Sequence, residues 1–143
     1  MEAGVLPIIR EFLSERGFEL SEEKTVIPHI EDGFDFLGCN IRWYKDKLLT
    51  KLSKKNYKAI VSKVREIIKQ NPSMKQEDLI RKLNPVIRGW GNFQKHNVSS
   101  QAFERFDFDV WRCLWRWCKR RHPKKGHKWI AKKYFRRVGT RYW

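Results

Sequence analysis

The sequence is poor in cysteine, poor in carboxylates where its cations are densest, and without a long apolar run. Three cysteines in 143 residues are an odd number and suggest no disulfide framework, which points to a reducing, intracellular (cytoplasmic) compartment. No uninterrupted apolar stretch approaches the roughly 20 residues of a membrane-spanning helix, so no membrane partner is expected. The opening residues, MEAGVLPIIREFLSERG, lack the basic start and long apolar centre of a secretory signal. A Walker loop, a GxSxG elbow and an HExxH pair are all absent. Asp107 and Asp109 stand two apart, about 200° around a helix, so they cannot form an acid–base pair or share a metal. Asp35 reads as a local hydrogen-bonding residue, and His96 has no partner for catalysis. Cys113, Cys118, His122 and His127 form a Cys-x4-Cys-x3-His-x4-His run that resembles a zinc site on paper. The two cysteines would diverge by about 140° on a helix. Neither a catalytic residue, a metal nor a cofactor is therefore expected.

Aromatic residues make up 14% of the chain and include seven tryptophans, which argues for a packed core despite 34% charged residues. The charge is unevenly divided. Residues 1–46 carry five Lys+Arg against ten Asp+Glu, whereas residues 47–143 carry 27 against six. A net of −5 is thus followed by a net of +21, within a total of +16. The basic part suits a nucleic acid better than an anionic membrane surface.

That basic part is organised around one helix, read as Ala102–Arg121 with Ser100 as its N-cap. At about 100° per residue from Phe103, the side chains of Phe106, Val110, Leu114 and Trp117 form a core-facing stripe. Phe108, Trp111, Trp115 and Cys118 occupy an adjoining arc, and Arg105, Arg112, Arg116, Lys119 and Arg120 gather on the remainder. The cationic side continues through Arg121, Lys124, Lys125, Lys128, Lys132, Lys133, Arg136, Arg137 and Arg141. Trp129, Tyr134, Phe135, Tyr142 and Trp143 are interleaved with it. Cations that displace counterions and rings that stack on bases are what a nucleic acid requires. The alternative is a solvated basic face around an aromatic core.

Ahead of this helix, Val5, Ile8, Ile9, Phe12 and Leu13 predict a short helix over residues 3–16, ended by Gly17. Phe34 to Trp43 reads as one strand, bulged or bent at Gly38, and Leu48–Leu52 as a second strand after a Lys45-Asp46-Lys47 turn. Ser53 opens a helix with the stripe Tyr57, Ile60, Val61, Val64, Ile67 and Ile68, ended by Asn71-Pro72. Lys54, Lys55, Lys58, Lys63, Arg65 and Lys69 decorate its other sides. Ser73 and Gln76 predict a capping box for the next helix. There Pro85 implies a kink or a break, and Gly89 and Gly91 would permit close approach of another backbone.

The segments LNPVIRGWGNFQKH and HPKKGHKWIAKKYF, with the Trp/Arg-rich helix between them, resemble the maturase domain of group II intron-encoded reverse transcriptases. GFELSEEKTVIPHIEDGFDFLGCNIRWY resembles the end of the palm of the same proteins. Phe34–Gly38 and Arg88–Phe93 are the most specific parts of the match. The resemblance implies a mainly α fold: a small helix-plus-β-hairpin palm remnant (1–52), thumb-like helices (53–97) that make a three-helix bundle with the helix that follows, and a basic helical maturase tail (98–143). It implies an RNA-binding fragment that assists folding of a group II intron. Carried onto this sequence, the contacts are Arg88, Lys95, His96, Arg105, Arg112, Arg116, Lys119, Arg120, Arg121, Lys124, Lys125, Lys128, Trp129, Lys132 and Lys133. Intron RNA is the expected partner, with a DNA target during mobility and an upstream reverse-transcriptase fragment as further ones. The family's Tyr-x-Asp-Asp polymerase turn does not occur in this sequence, which the resemblance places downstream of it. Polymerisation by this chain alone is not expected; at most it completes a split reverse transcriptase as a non-catalytic subunit.

Overall fold

The computed structural model describes residues 2–135, 137–138 and 141–142, with side chains from 5 to 135. The tail side chains of Arg136, Arg137, Arg141, Tyr142 and Trp143 lie outside the described residues. Helix α1 spans Glu2–Ser14. Gly17 ends it at φ +73°, where the Phe18 amide donates to the Leu13 carbonyl at 3.0 Å. The sequence places the apolar residues of α1 on one side, yet Val5, Ile8, Ile9 and Phe12 are all exposed.

Strands β1 (Phe34–Phe36), β2 (Cys39–Tyr44) and β3 (Lys47–Leu52) form an antiparallel meander. This corrects the expectation of one bent strand through Gly38. Leu37 and Gly38 both adopt positive φ, 48° and 79°, and reverse the chain so that Phe36 faces Cys39 and Phe34 faces Ile41. Two consecutive positive-φ residues make the tight hairpin turn whose twist suits the flanking strands. Asn-Gly is its usual signal; Leu at the first position hid it.

Four helices follow: α2 (Lys54–Gln70), α3 (Gln76–Gln94), α4 (Ser100–Arg121) and α5 (His127–Tyr134). Two-residue strands β4 (Arg137–Val138) and β5 (Arg141–Tyr142) pair antiparallel after them. The Ser53 hydroxyl caps α2 as expected, accepting from the Asn56 amide at 3.1 Å. The other two expected caps differ. Helix α3 starts from Lys75 without a side-chain cap, and Gln76 instead donates from its amide to the Tyr134 carbonyl at 3.3 Å. Ser99, not Ser100, precedes α4, and its hydroxyl donates back to the Gln94 carbonyl at 3.1 Å. Pro85 lies inside an unbroken α3. A Cβ added at Gly89 or Gly91 would meet nothing within 4 Å, so no backbone packs closely there.

The core is where α2, α3 and α4 meet, built on Ile60, Val61, Val64, Ile68, Leu79, Leu83, Phe106, Val110 and Trp117. Helix α5 closes it with Ile130, which has 0% exposure. The segment after α4 thus folds onto the bundle as far as Phe135. Hydrogen bonds to the turn between α2 and α3 hold α4 in place. The Trp117 indole donates to the Asn71 carbonyl at 2.9 Å, and the Arg121 guanidinium donates to the Met74 carbonyl.

Asn56 is one of the residues that join the sheet to the bundle. Asn56 accepts from the Trp90 indole at 3.1 Å, and its amide nitrogen lies against Gly38, where an added Cβ would collide with it. Trp90 itself packs on Phe103 and Phe106, with centroids at 5.4 and 4.6 Å. Phe34–Gly38 and Arg88–Phe93, distant in sequence, therefore meet across Asn56.

Candidate nucleic-acid interface

Helix α4 divides its surface much as its periodicity requires. Phe106, Val110, Trp117 and Cys118 are buried, while Arg105, Arg116, Lys119 and Arg120 are exposed. The intermediate arc is split between two surroundings. Trp115 lies against Phe135 at 5.6 Å and against His127, whereas Phe108 and Trp111 remain open, stacked on one another at 6.0 Å.

The remaining expected contacts fall into three groups. Arg88, Lys95 and His96, in α3 and just after it, are exposed. Lys124, Lys125, Lys128, Lys132 and Lys133 are exposed on the turn after α4 and on α5. With them stands Trp129, 38% exposed, with the Lys133 ammonium 4.8 Å and that of Lys125 5.5 Å from its ring. A half-open ring between two ammonium groups offers a stacking face and phosphate partners together. Arg112 and Arg121 are engaged internally. Arg112 donates to Asp109 at 2.8 Å, and Arg121 lies over Trp117 at 4.5 Å while it holds the Met74 carbonyl.

Beneath Trp129, the His122 ring stacks edge-on at 4.9 Å and its Nε2 meets the Tyr134 hydroxyl at 2.7 Å. Desolvation there, then the nearby charges of Lys133, Arg121 and Lys125, lower the His122 pKa from its ordinary value. Burial pushes the Cys118 thiol up to about 11. Among the described residues, no group of three or more His, Cys, Asp or Glu is placed to hold a metal ion. No described helix is long and apolar enough to cross a membrane.

A family model described as the group II intron maturase-specific domain matches residues 57–135. The chain belongs to this family. A comparison with curated proteins finds no match. The maturase domain begins in α2 at Tyr57 and ends just after α5, so it takes in the bundle and leaves α1 and the sheet outside. Its family context is the splicing of group II introns, and the maturase-specific domain itself is a non-catalytic one.

The structure also brings to the maturase domain a row of cations that composition alone does not single out. Lys54, Lys58 and Arg65 stand on α2 at intervals of four and seven, within about 40° of one another. They line a recess whose far wall is Arg105 and Arg112 of α4. A helical projection of α2 exposes that stripe; treating its lysines as general decoration hides it.

Proposed function

We propose that the maturase domain binds the RNA of a group II intron through the basic face of α4 and α5 and assists its folding to the splicing-active form. The observation that carries this reading is the exposed run Arg105, Arg116, Lys119, Arg120, Lys124, Lys125, Lys128, Lys132 and Lys133, with Trp129 in its midst, on a chain of this family. Ordinary solvated faces mix both signs of charge; this one is almost all cationic. The RNA supplies the chemistry, and the protein supplies phosphate contacts and a stacking surface. Filter binding to folded group II intron RNA and to an unrelated structured RNA, across monovalent salt, tests the reading. Binding to the intron that survives salt at which the control is lost is the expected result. Equal and equally salt-steep binding to both overturns it.

A second reading rests on α1. The side chains of Val5, Ile8 and Phe12, spaced three and four apart, are exposed to 55%, 65% and 54%, an apolar stripe of the kind that a folded partner covers. In this reading residues 1–52 complete the palm of an upstream reverse-transcriptase polypeptide. Primer extension restored by mixing the two chains is the expected outcome, and a folded mixture without extension argues against it.

A further inference from the structure

We propose that the recess between α2 and α4 seats an unpaired stretch of RNA strand, its phosphates between two cationic walls and a base lowered onto an apolar floor. This rests on the RNA-binding reading and names which form of RNA a second, recessed part of the surface accepts.

The recess has a volume of about 850 Å³, within the roughly 300–1,000 Å³ of sites that enclose small molecules. That suits a few nucleotides of one strand and leaves no room for a duplex. Small residues keep it open: Ser62 on one wall and Ala102 on the other. Leu52 and Val61 add apolar lining. Tyr57 stands at the base with the Arg105 guanidinium 5.3 Å from its ring.

The charges are matched to a strand. Lys54, Lys58 and Arg65 face Arg105 and Arg112 across the opening, and Asp109 is the acidic residue of the lining. Asp109 is already engaged: one oxygen accepts from the Tyr57 hydroxyl at 2.8 Å and the other from Arg112 at 2.8 Å. It holds Arg112 in place and leaves Lys54, Lys58, Arg65 and Arg105 to face an incoming anion. Lys54 moreover sits in the first turn of α2, which holds no acidic residue. A cation at that end opposes the helix dipole, and a bound phosphate relieves the conflict. Flat basic faces read a duplex backbone, whereas unpaired bases need a platform to rest on. The apolar floor therefore favours a strand over a phosphate ion or a duplex.

The test compares two double variants of the whole chain: Lys58→Gln with Arg65→Gln on the recess, and Lys55→Gln with Lys63→Gln elsewhere on α2. Each removes two positive charges. The probe is a single-stranded RNA of about 12 nucleotides, followed by fluorescence anisotropy, against a duplex of equal length. Losing two strand contacts lowers the log–log salt slope by about 1.4 and weakens binding about 25-fold at 0.1 M salt relative to an extrapolation from 1 M. The recess variant is expected to show this for the strand, and the control variant to stay within about threefold of the parent protein. Ala102→Leu, which narrows the recess at constant charge, is expected to weaken the strand and spare the duplex. Equal losses in both charge variants, or an Ala102→Leu protein that keeps its melting temperature and its strand affinity, overturn the proposal. Intron binding by the parent protein is measured beside them: intact intron binding with an indifferent recess refutes this site alone, whereas loss of intron selectivity refutes the function it rests on.

Discussion

The contact of Gly38 with Asn56 gives the sharpest test of how the sheet is fastened to the bundle. Gly38→Ala has two separable costs. Holding an alanine at φ +79° costs about 1–2 kcal/mol. Its methyl group must also push the Asn56 amide aside, breaking the Trp90 hydrogen bond for about 0.5–1.5 kcal/mol more. Asn56→Ala alone strands a half-buried indole N–H at about 1–3 kcal/mol. Once Asn56 is an alanine, the methyl of Gly38→Ala meets no amide and only the backbone cost remains. The double variant should therefore be more stable than the sum of the single ones by about 0.5–1.5 kcal/mol. Equilibrium urea unfolding followed by tryptophan fluorescence measures all four proteins, with unchanged m-values as the check that the denatured ensemble is the same. Strict additivity, within about 0.3–0.5 kcal/mol, would show that Gly38 and Asn56 do not touch and would remove the link between the two family-specific segments.

Ile130→Ala should cost about 2–5 kcal/mol, since the side chain is fully buried beneath α5; hydrogen exchange that leaves α5 as protected as in the parent would contradict its docking. His122 sets a pH dependence. Its folded pKa is lowered, so the contribution is present above the unfolded value of about 6.5 and is lost as pH falls through the lowered folded pKa. His122→Gln should flatten that part of the stability profile, and an unchanged slope below about pH 6.5 would show that the ring is not held as described. Removing charge at Arg116, Lys119 and Arg120 should lower the salt slope of RNA binding by about 0.7–0.9 for each lost contact, at constant melting temperature. Arg121→Gln should do the reverse, lowering the melting temperature more than the salt slope, because its guanidinium holds the Met74 carbonyl and the Trp117 ring.

The long helices were readable because their apolar spacing and their packing agree. The stripe from Tyr57 to Ile68 and the stripe from Phe106 to Trp117 both face the core. What escaped depends on a few atoms. The Leu37-Gly38 turn is decided by two backbone angles, and the cap of α4 by whether Ser99 or Ser100 lies nearer Gln94. Helix α5 is only eight residues long and buries one side chain completely, too little for a periodic signal. At the interface, the cations of α4 and α5 were legible as a sign of charge. Arg121 is different because its role depends on a carbonyl 47 positions away. The α2 wall was missed because a recess exists only when two helices are placed side by side.

The amide of Val98, in the turn between α3 and α4, donates to the Thr50 carbonyl at 3.0 Å, so the open edge of β3 takes a partner from beyond the first two helices of the bundle. During synthesis this imposes an order. The 46 residues from Leu52 to Val98 take roughly 2–9 seconds to add at ribosomal speed. Throughout that interval the meander has left the peptidyl-transferase centre with its edge still unpaired. A nascent chain arrested before Val98 should thus bind holdase chaperones, and one arrested well after Phe135 should not. The sheet, written into the chain before the bundle, is completed only after two of the bundle's helices have been made.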